Sequence, residues 1–127
     1  MTMRNRFAPH IDTTDLDGLI ESNPRWGFSN LDLIAERGNA FLVQEWKRPE
    51  ESIKEGQRIL LRALARSPGF TVLLVTGEQD EHGTRVYEVR QIMGWAEDGV
   101  DTARKVGDTL DELRAFVRAW YEENNYA

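Results

Sequence analysis

The chain has 127 residues, 40% hydrophobic and 30% charged, with a formal net charge of −6. That length and balance suit one folded domain around one hydrophobic core, not a disordered tail. The absence of cysteine excludes disulfides, cysteine-type zinc sites and thiol chemistry.

The two histidines, His10 and His82, stand far apart with no ligand-like spacing. Any metal would therefore be held mainly by oxygen, which favours magnesium or manganese. No apolar run approaches the roughly 18 residues that span a bilayer. Arg4 and Arg6 have no apolar stretch behind them, so no secretory signal is expected and a cytoplasmic setting is the default. Residues 1–66 hold ten basic and ten acidic side chains, whereas residues 67–127 hold six and twelve. The acidic balance argues against a nucleic-acid partner for the second half but not for the first.

Residues 1–12 are expected to form a loose arm. Thr13 or Thr14 would cap a short helix over residues 15–21, with Leu16, Leu19 and Ile20 on one side. Ser22-Asn23-Pro24 would end it. Residues 29–47 carry two strand patterns around Arg37-Gly38-Asn39, and Gly-Asn is a two-residue hairpin loop. With Gly38 and Asn39 as the loop, Arg37 pairs with Ala40, Asp32 lies opposite Glu45, and Lys47 lies opposite Asn30. One face then carries Leu31, Leu33, Ala35, Leu42 and Trp46. The other carries Asn30, Asp32, Glu45 and Lys47 at one end, and Ile34 and Val43 at the other.

Pro49 predicts the start of a long helix reaching about Arg66, with Glu50, Glu51 and Glu55 near its positive end. Ser67-Pro68-Gly69 stops it. Residues 70–76 form a near-continuous apolar run, the pattern of a central strand covered on both faces. Residues 77–83 are expected to be a polar loop, 84–93 a strand, and 94–107 a long polar connection. Thr109 or Asp108 would cap a last helix over residues 110–123, with Leu113, Phe116, Val117 and Trp120 at helical spacing. The order of elements predicts an α/β fold: one domain over residues 1–127, a central mixed sheet and flanking helices.

Two carboxylates opposite each other on a hairpin repel. A divalent cation between Asp32 and Glu45 is a natural offset, and Lys47 supplies a further positive charge. A metal on two carboxylates can engage a phosphate oxygen and activate water, while a lysine beside it stabilises charge or helps deprotonate that water. The competing interpretation is a hairpin face carrying three solvated charges. Gln57 falls inside the apolar stripe of Ile53, Leu60, Leu61 and Leu64, where an amide is costly unless paired. It either reaches a polar site beneath the helix or bonds a backbone group. Lys54, Arg58, Arg62 and Arg66 recur every four residues. They could track a phosphate backbone, or form a solvated face partly paired with the nearby glutamates. Arg85 and Arg90 could extend that track or be surface charges. Trp26, Trp46, Trp95 and Trp120 suit core positions better than base stacking.

An Asp, then a strand with Glu-x-Lys, then a helix with Gln resembles the PD-(D/E)xK nuclease superfamily. Here these are Asn30-Leu31-Asp32-Leu33-Ile34, Phe41-Leu42-Val43-Gln44-Glu45-Trp46-Lys47 and Ser52-Ile53-Lys54-Glu55-Gly56-Gln57. The resemblance covers about half of the chain, residues 15–76. It implies a restriction-endonuclease-like fold, with the D…ExK site on the hairpin. It implies Asp32, Glu45 and the main-chain carbonyl of Trp46 as ligands of Mg2+ or Mn2+, with Glu21 as a further candidate. It implies a catalytic Lys47 and a supporting Gln57. Asp32 follows Leu31 where the family name has proline. The strand that usually precedes the Asp would have to come from residues 25–28.

The expectation is therefore a divalent-metal-dependent nuclease hydrolysing phosphodiester bonds in DNA, as an endo- or exonuclease. Lys54, Arg58 and Arg62 would hold the backbone. A chain of this length leaves no separate sequence-reading domain, which favours recognition of a DNA structure or end. It also favours action as a homodimer or within a larger complex. The alternative is a non-enzymatic module of the same fold that binds protein or nucleic acid.

Overall fold

Gly38 and Asn39 both adopt left-handed backbone conformations, with φ of 58° and 67°. Two consecutive residues with positive φ make a hairpin turn whose twist matches its strands. It joins β1 (Leu33–Arg37) to β2 (Ala40–Lys47), with Arg37 opposite Ala40 and Leu33 opposite Gln44. The register is the one the sequence predicts. The computed structural model describes residues 12–95 and 101–124. The chain divides into two units between Asn30 and Leu31.

In the first unit the expected helix over residues 15–21 does not form. Only a three-residue 3-10 turn is present, Thr14–Leu16. Asp12 accepts the Thr14 N–H at 2.9 Å, a local bond that competes with helix, and Gly18 turns left-handed at φ 66°. Leu16, Leu19 and Ile20 are exposed. Residues 25–28 contain no strand, so the extra strand implied by the resemblance is absent there. Trp26 and Phe28 instead meet edge to face at 5.4 Å.

The second unit is an α/β domain whose five-stranded sheet runs in chain order, β1 to β5. The remaining strands are β3 (Phe70–Asp80), β4 (Gly83–Trp95) and β5 (Asp101–Gly107). Strands β2 and β3 are parallel and the other neighbours antiparallel, so the sheet is mixed. Helix α1 (Glu55–Ala65) connects the parallel pair, and α2 (Leu110–Glu123) follows β5.

Three boundaries differ from expectation. Helix α1 starts six residues after Pro49, at Glu55. Pro49 sits in a turn closed by the Glu51 N–H on the Arg48 carbonyl at 3.0 Å, and the Glu51 carboxylate accepts the Arg48 N–H at 2.9 Å. Residues 77–83 are not a polar loop but the far end of the β3–β4 hairpin, where Asp80 pairs with Gly83. Gly77 is required there, because a Cβ would lie 2.6 Å from the Arg85 carbonyl oxygen, at a bulge in the ladder. Within the expected connection over residues 94–107 lies β5, an edge strand whose charged side chains hide its alternation.

The sheet buries apolar residues on both faces. Leu42, Leu73, Val75, Val86 and Val89 pack with Leu113 and Trp120 of α2. Val43 and Val72 pack with Leu61 of α1, joined by Leu31, Leu64, Ala65, Phe70 and Ile92. Leu31 therefore belongs with the α1 face rather than beside Leu42 and Trp46, because Asp32 lies in a bend outside β1 and the strand alternation stops there. Among the described residues no helix is long and apolar enough to cross a membrane.

Candidate functional site

Strand alternation puts Glu45 and Lys47 on the α1 face, continuing the row begun by Val43. Extending the β1–β2 register by one residue brings Asp32 opposite Glu45. The Asp32 carboxylate accepts the Trp46 N–H at 2.7 Å. Asp32 thus satisfies a β2 donor beyond the last pair of the β1 ladder, which fixes its carboxyl beside the strand that bears Glu45 and Lys47.

Glu45 is only 5% exposed. Its Oε1 accepts a hydrogen bond from Gln57 Nε2 at 2.8 Å, whereas its buried Oε2 has no hydrogen-bond partner. Burial raises the Glu45 pKa above the usual carboxylate range, and the negative charge of Asp32 raises it further; the Asp32 main-chain N–H and the Gln57 amide act in the opposite direction. Gln57 lies in the first turn of α1 because that helix begins at Glu55. Its position inside the apolar stripe is explained by this contact: the amide reaches down to a buried carboxylate. Lys47 is half-buried and pairs in register with Thr76 of β3.

The other predicted residues are distributed differently. Trp46 sends its indole to the α2 face, where Nε1 donates to Gln44 Oε1 at 3.0 Å. Only its main chain belongs to the α1-side site. Glu21 lies in the first unit, exposed in a turn rather than on a helix. Lys54 is the exposed N-cap of α1, and Arg58 is half-exposed with Glu55 at 3.7 Å. Arg62 is 8% exposed and lies 3.6 Å from the same Glu55. The basic stripe is thus a graded set rather than a uniform solvent-facing row.

The register reveals further charges on the same face. Glu45 is level with Leu74 of β3, which pairs with Arg90 of β4, which pairs with Lys105 of β5. Arg90 bonds Glu88 at 2.8 Å, and the Lys105 amine is held by Asp108, whose carboxylate raises the amine's pKa. Lys105 escapes the sequence reasoning because its strand looks like a connection. Ala103-Arg104-Lys105-Val106 shows no alternation of apolar and polar residues, so the sequence carries no strand signal there.

Among the described residues no group of three acidic or histidine side chains converges to hold a metal. The donor set is therefore a carboxylate pair with one unmet buried oxygen. It suits a hard cation that keeps part of its water shell, as magnesium does. No family model matches the chain, and no curated protein or solved structure is detectably similar to it.

Proposed function

We propose that the protein is a divalent-metal-dependent nuclease acting on DNA, with Asp32, Glu45 and Lys47 at its centre. One observation carries this reading: the buried Glu45 has one oxygen held by Gln57, the other unmet, and a second carboxylate beside it. Burying Glu45 beside the exposed carboxylate of Asp32 is costly without compensation, and a cation offsets both the repulsion and the desolvation of Glu45. The carboxylates of Asp32 and Glu45, with the main-chain carbonyl of Trp46, would hold Mg2+ or Mn2+. When bound, such an ion supplies Lewis-acid polarisation of a phosphate oxygen and lowers the pKa of water.

The residues divide the remaining work. Gln57 holds the Glu45 carboxylate in one orientation. The Trp46 N–H does the same for Asp32. Lys47 places a positive charge where negative charge grows on the phosphate oxygens as water attacks phosphorus and the bond to the leaving sugar oxygen breaks. Lys54 and Arg58 hold the DNA backbone at the helix edge. Arg62, being buried, supports Arg58 through the shared Glu55.

The test is incubation with labelled single-stranded, duplex, flap and four-way-junction DNA, with magnesium, manganese or chelator. Metal-dependent cutting should fall by roughly 10²–10⁴ in Lys47→Ala. It should also be lost in Glu45→Ala, with folding retained in both. Absence of cutting together with absence of metal binding by calorimetry would replace this reading with a non-enzymatic binding module.

A further inference from the structure

On the α2 face, away from the carboxylate pair, lies a cavity of about 210 Å³. Gln91 of β4 and Arg104 of β5, partners in the ladder, form its floor with Thr71 of β3. Gln91 also pairs with Leu73, a member of the α2 cluster, so this row faces α2. The wall is Phe116, Trp120 and Glu123, at helical spacing on one stripe of α2. More of the lining is polar than apolar. Arg104 and Glu123 bring opposite charges to this one cavity, and both are exposed. Among the described residues neither is in an ion pair. Arg104 donates to the Gln91 Oε1 at 3.4 Å, a long bond that leaves its other N–H groups unused.

A ligand bridging these charges must offer an acceptor to Arg104 and a donor to Glu123. Phe116 and Trp120 favour a flat ring between those ends. A saturated zwitterion would match the charges but leave the aromatic wall unused. Cytosine carries the required pattern along one edge: its N4 amine donates, while N3 and O2 accept. Glu123 then takes the N4–H, and the Arg104 guanidinium and the Gln91 amine donate to N3 and O2. Uracil and thymine invert two of these groups, so O4 would meet a carboxylate and N3–H a guanidinium. A hole of about 150 Å³ holds the six heavy atoms of benzene, and in proportion the eight of cytosine need about 200 Å³. We propose that this cavity binds a cytosine base, of a free nucleotide or of an unpaired position in a strand. The inference goes beyond the nuclease reading and does not depend on cutting.

Calorimetry with cytidine and uridine, and fluorescence anisotropy with oligodeoxycytidine and oligothymidine, read this site in chelator without the metal centre. Cytosine should bind about tenfold tighter than uracil or thymine, the discrimination of one well-placed hydrogen-bonded pair. Preference among nucleosides as well as strands assigns a free nucleotide; preference among strands alone assigns a base of the strand. Glu123→Lys sets a donor opposite position 4 of the ring and should remove or reverse the preference. A lysine suits the last turn of α2, so the fold is kept. Arg104→Ala, on the exposed edge strand, should weaken cytosine binding about tenfold with an unchanged melting temperature. Equal binding of the cytosine and uracil or thymine probes in both formats overturns the proposal. So does an absence of binding at millimolar nucleoside and with both strands, or a preference that survives both variants. Cytosine preference without metal-dependent cutting would keep this site and remove the nuclease, and cutting without the preference would do the reverse.

Discussion

The two faces of the sheet solve the same burial problem with different materials. Strand β2 contributes to both: Leu42 and Trp46 to the α2 side, Val43, Glu45 and Lys47 to the α1 side. On the α2 side every buried residue of the cluster is apolar, from Leu73 and Val75 to Leu113 and Trp120. On the α1 side the apolar cluster is smaller, and the row next to it buries Glu45 and is bridged by Gln57. One face is built for cohesion. The other gives up cohesion to keep a carboxylate out of water with an oxygen unmet, the pattern expected where chemistry rather than stability sets the sequence.

Removing the largest buried side chain of the α2 face should produce the largest effect on stability. Trp120→Ala is expected to cost about 3–5 kcal/mol, read as a lower urea midpoint. A loss below about 1 kcal/mol would mean that α2 contributes far less cohesion than its packing implies.

Glu45→Gln tests the opposite face, and its sign should be reversed. At neutral pH the variant should be more stable than the parent by about 1–3 kcal/mol, because a buried, unmet charge is removed. The pH dependence follows from the raised pKa. The folded protein binds the Glu45 proton more tightly than the unfolded chain does, so this contribution to stability is full below the unfolded carboxylate value of 4.5 and is lost as pH rises through the folded value. Thermal melts should show that loss in the parent and not in Glu45→Gln. Metal affinity should run the other way, weakening in acid as protons compete for the same oxygen.

The smallest expected effect is local to α2. Thr109 accepts the Glu112 N–H at 3.1 Å, while the Glu112 carboxylate accepts the Asp108 N–H at 3.1 Å. Thr109→Ala should cost about 1 kcal/mol in the same melts, without altering metal binding. A change in metal affinity would show that the two faces are coupled through the sheet.

Features governed by one or two residues were legible in the sequence. The β1–β2 register follows from the positive φ that Gly38 and Asn39 tolerate, and the chain just before that ladder sets Asp32 beside the strand that bears Glu45. The α2 start follows from Thr109, and β3 from its apolar run. Features decided by competition were not legible. Pro49 fits a helix start and a turn equally well, and the Glu51 side chain decides for the turn. Residues 15–21 have helical spacing, yet Gly18 and Asp12 favour local turns. Strand β5 looks polar because an edge strand carries charge, which concealed Lys105. Gln57 shows the reverse: its poor fit to the apolar stripe signalled a polar partner, in a site beneath the helix or on a backbone, and that partner is the Glu45 carboxylate.

The order of the strands in space is their order in the chain. Each pair in the ladder therefore closes a short loop, and the widest gap, between β2 and β3, is bridged by α1. Loop-closure entropy is repaid soon after each new strand arrives. As a mixed α/β domain the protein should fold at an intermediate rate, slower than a helical bundle and faster than an all-β barrel. During synthesis β2 and α1 leave the ribosome ahead of β4 and β5, so Glu45 and Gln57 can meet first. The buried carboxylate would then be held by the Gln57 amide before Arg90 and Lys105 join the sheet.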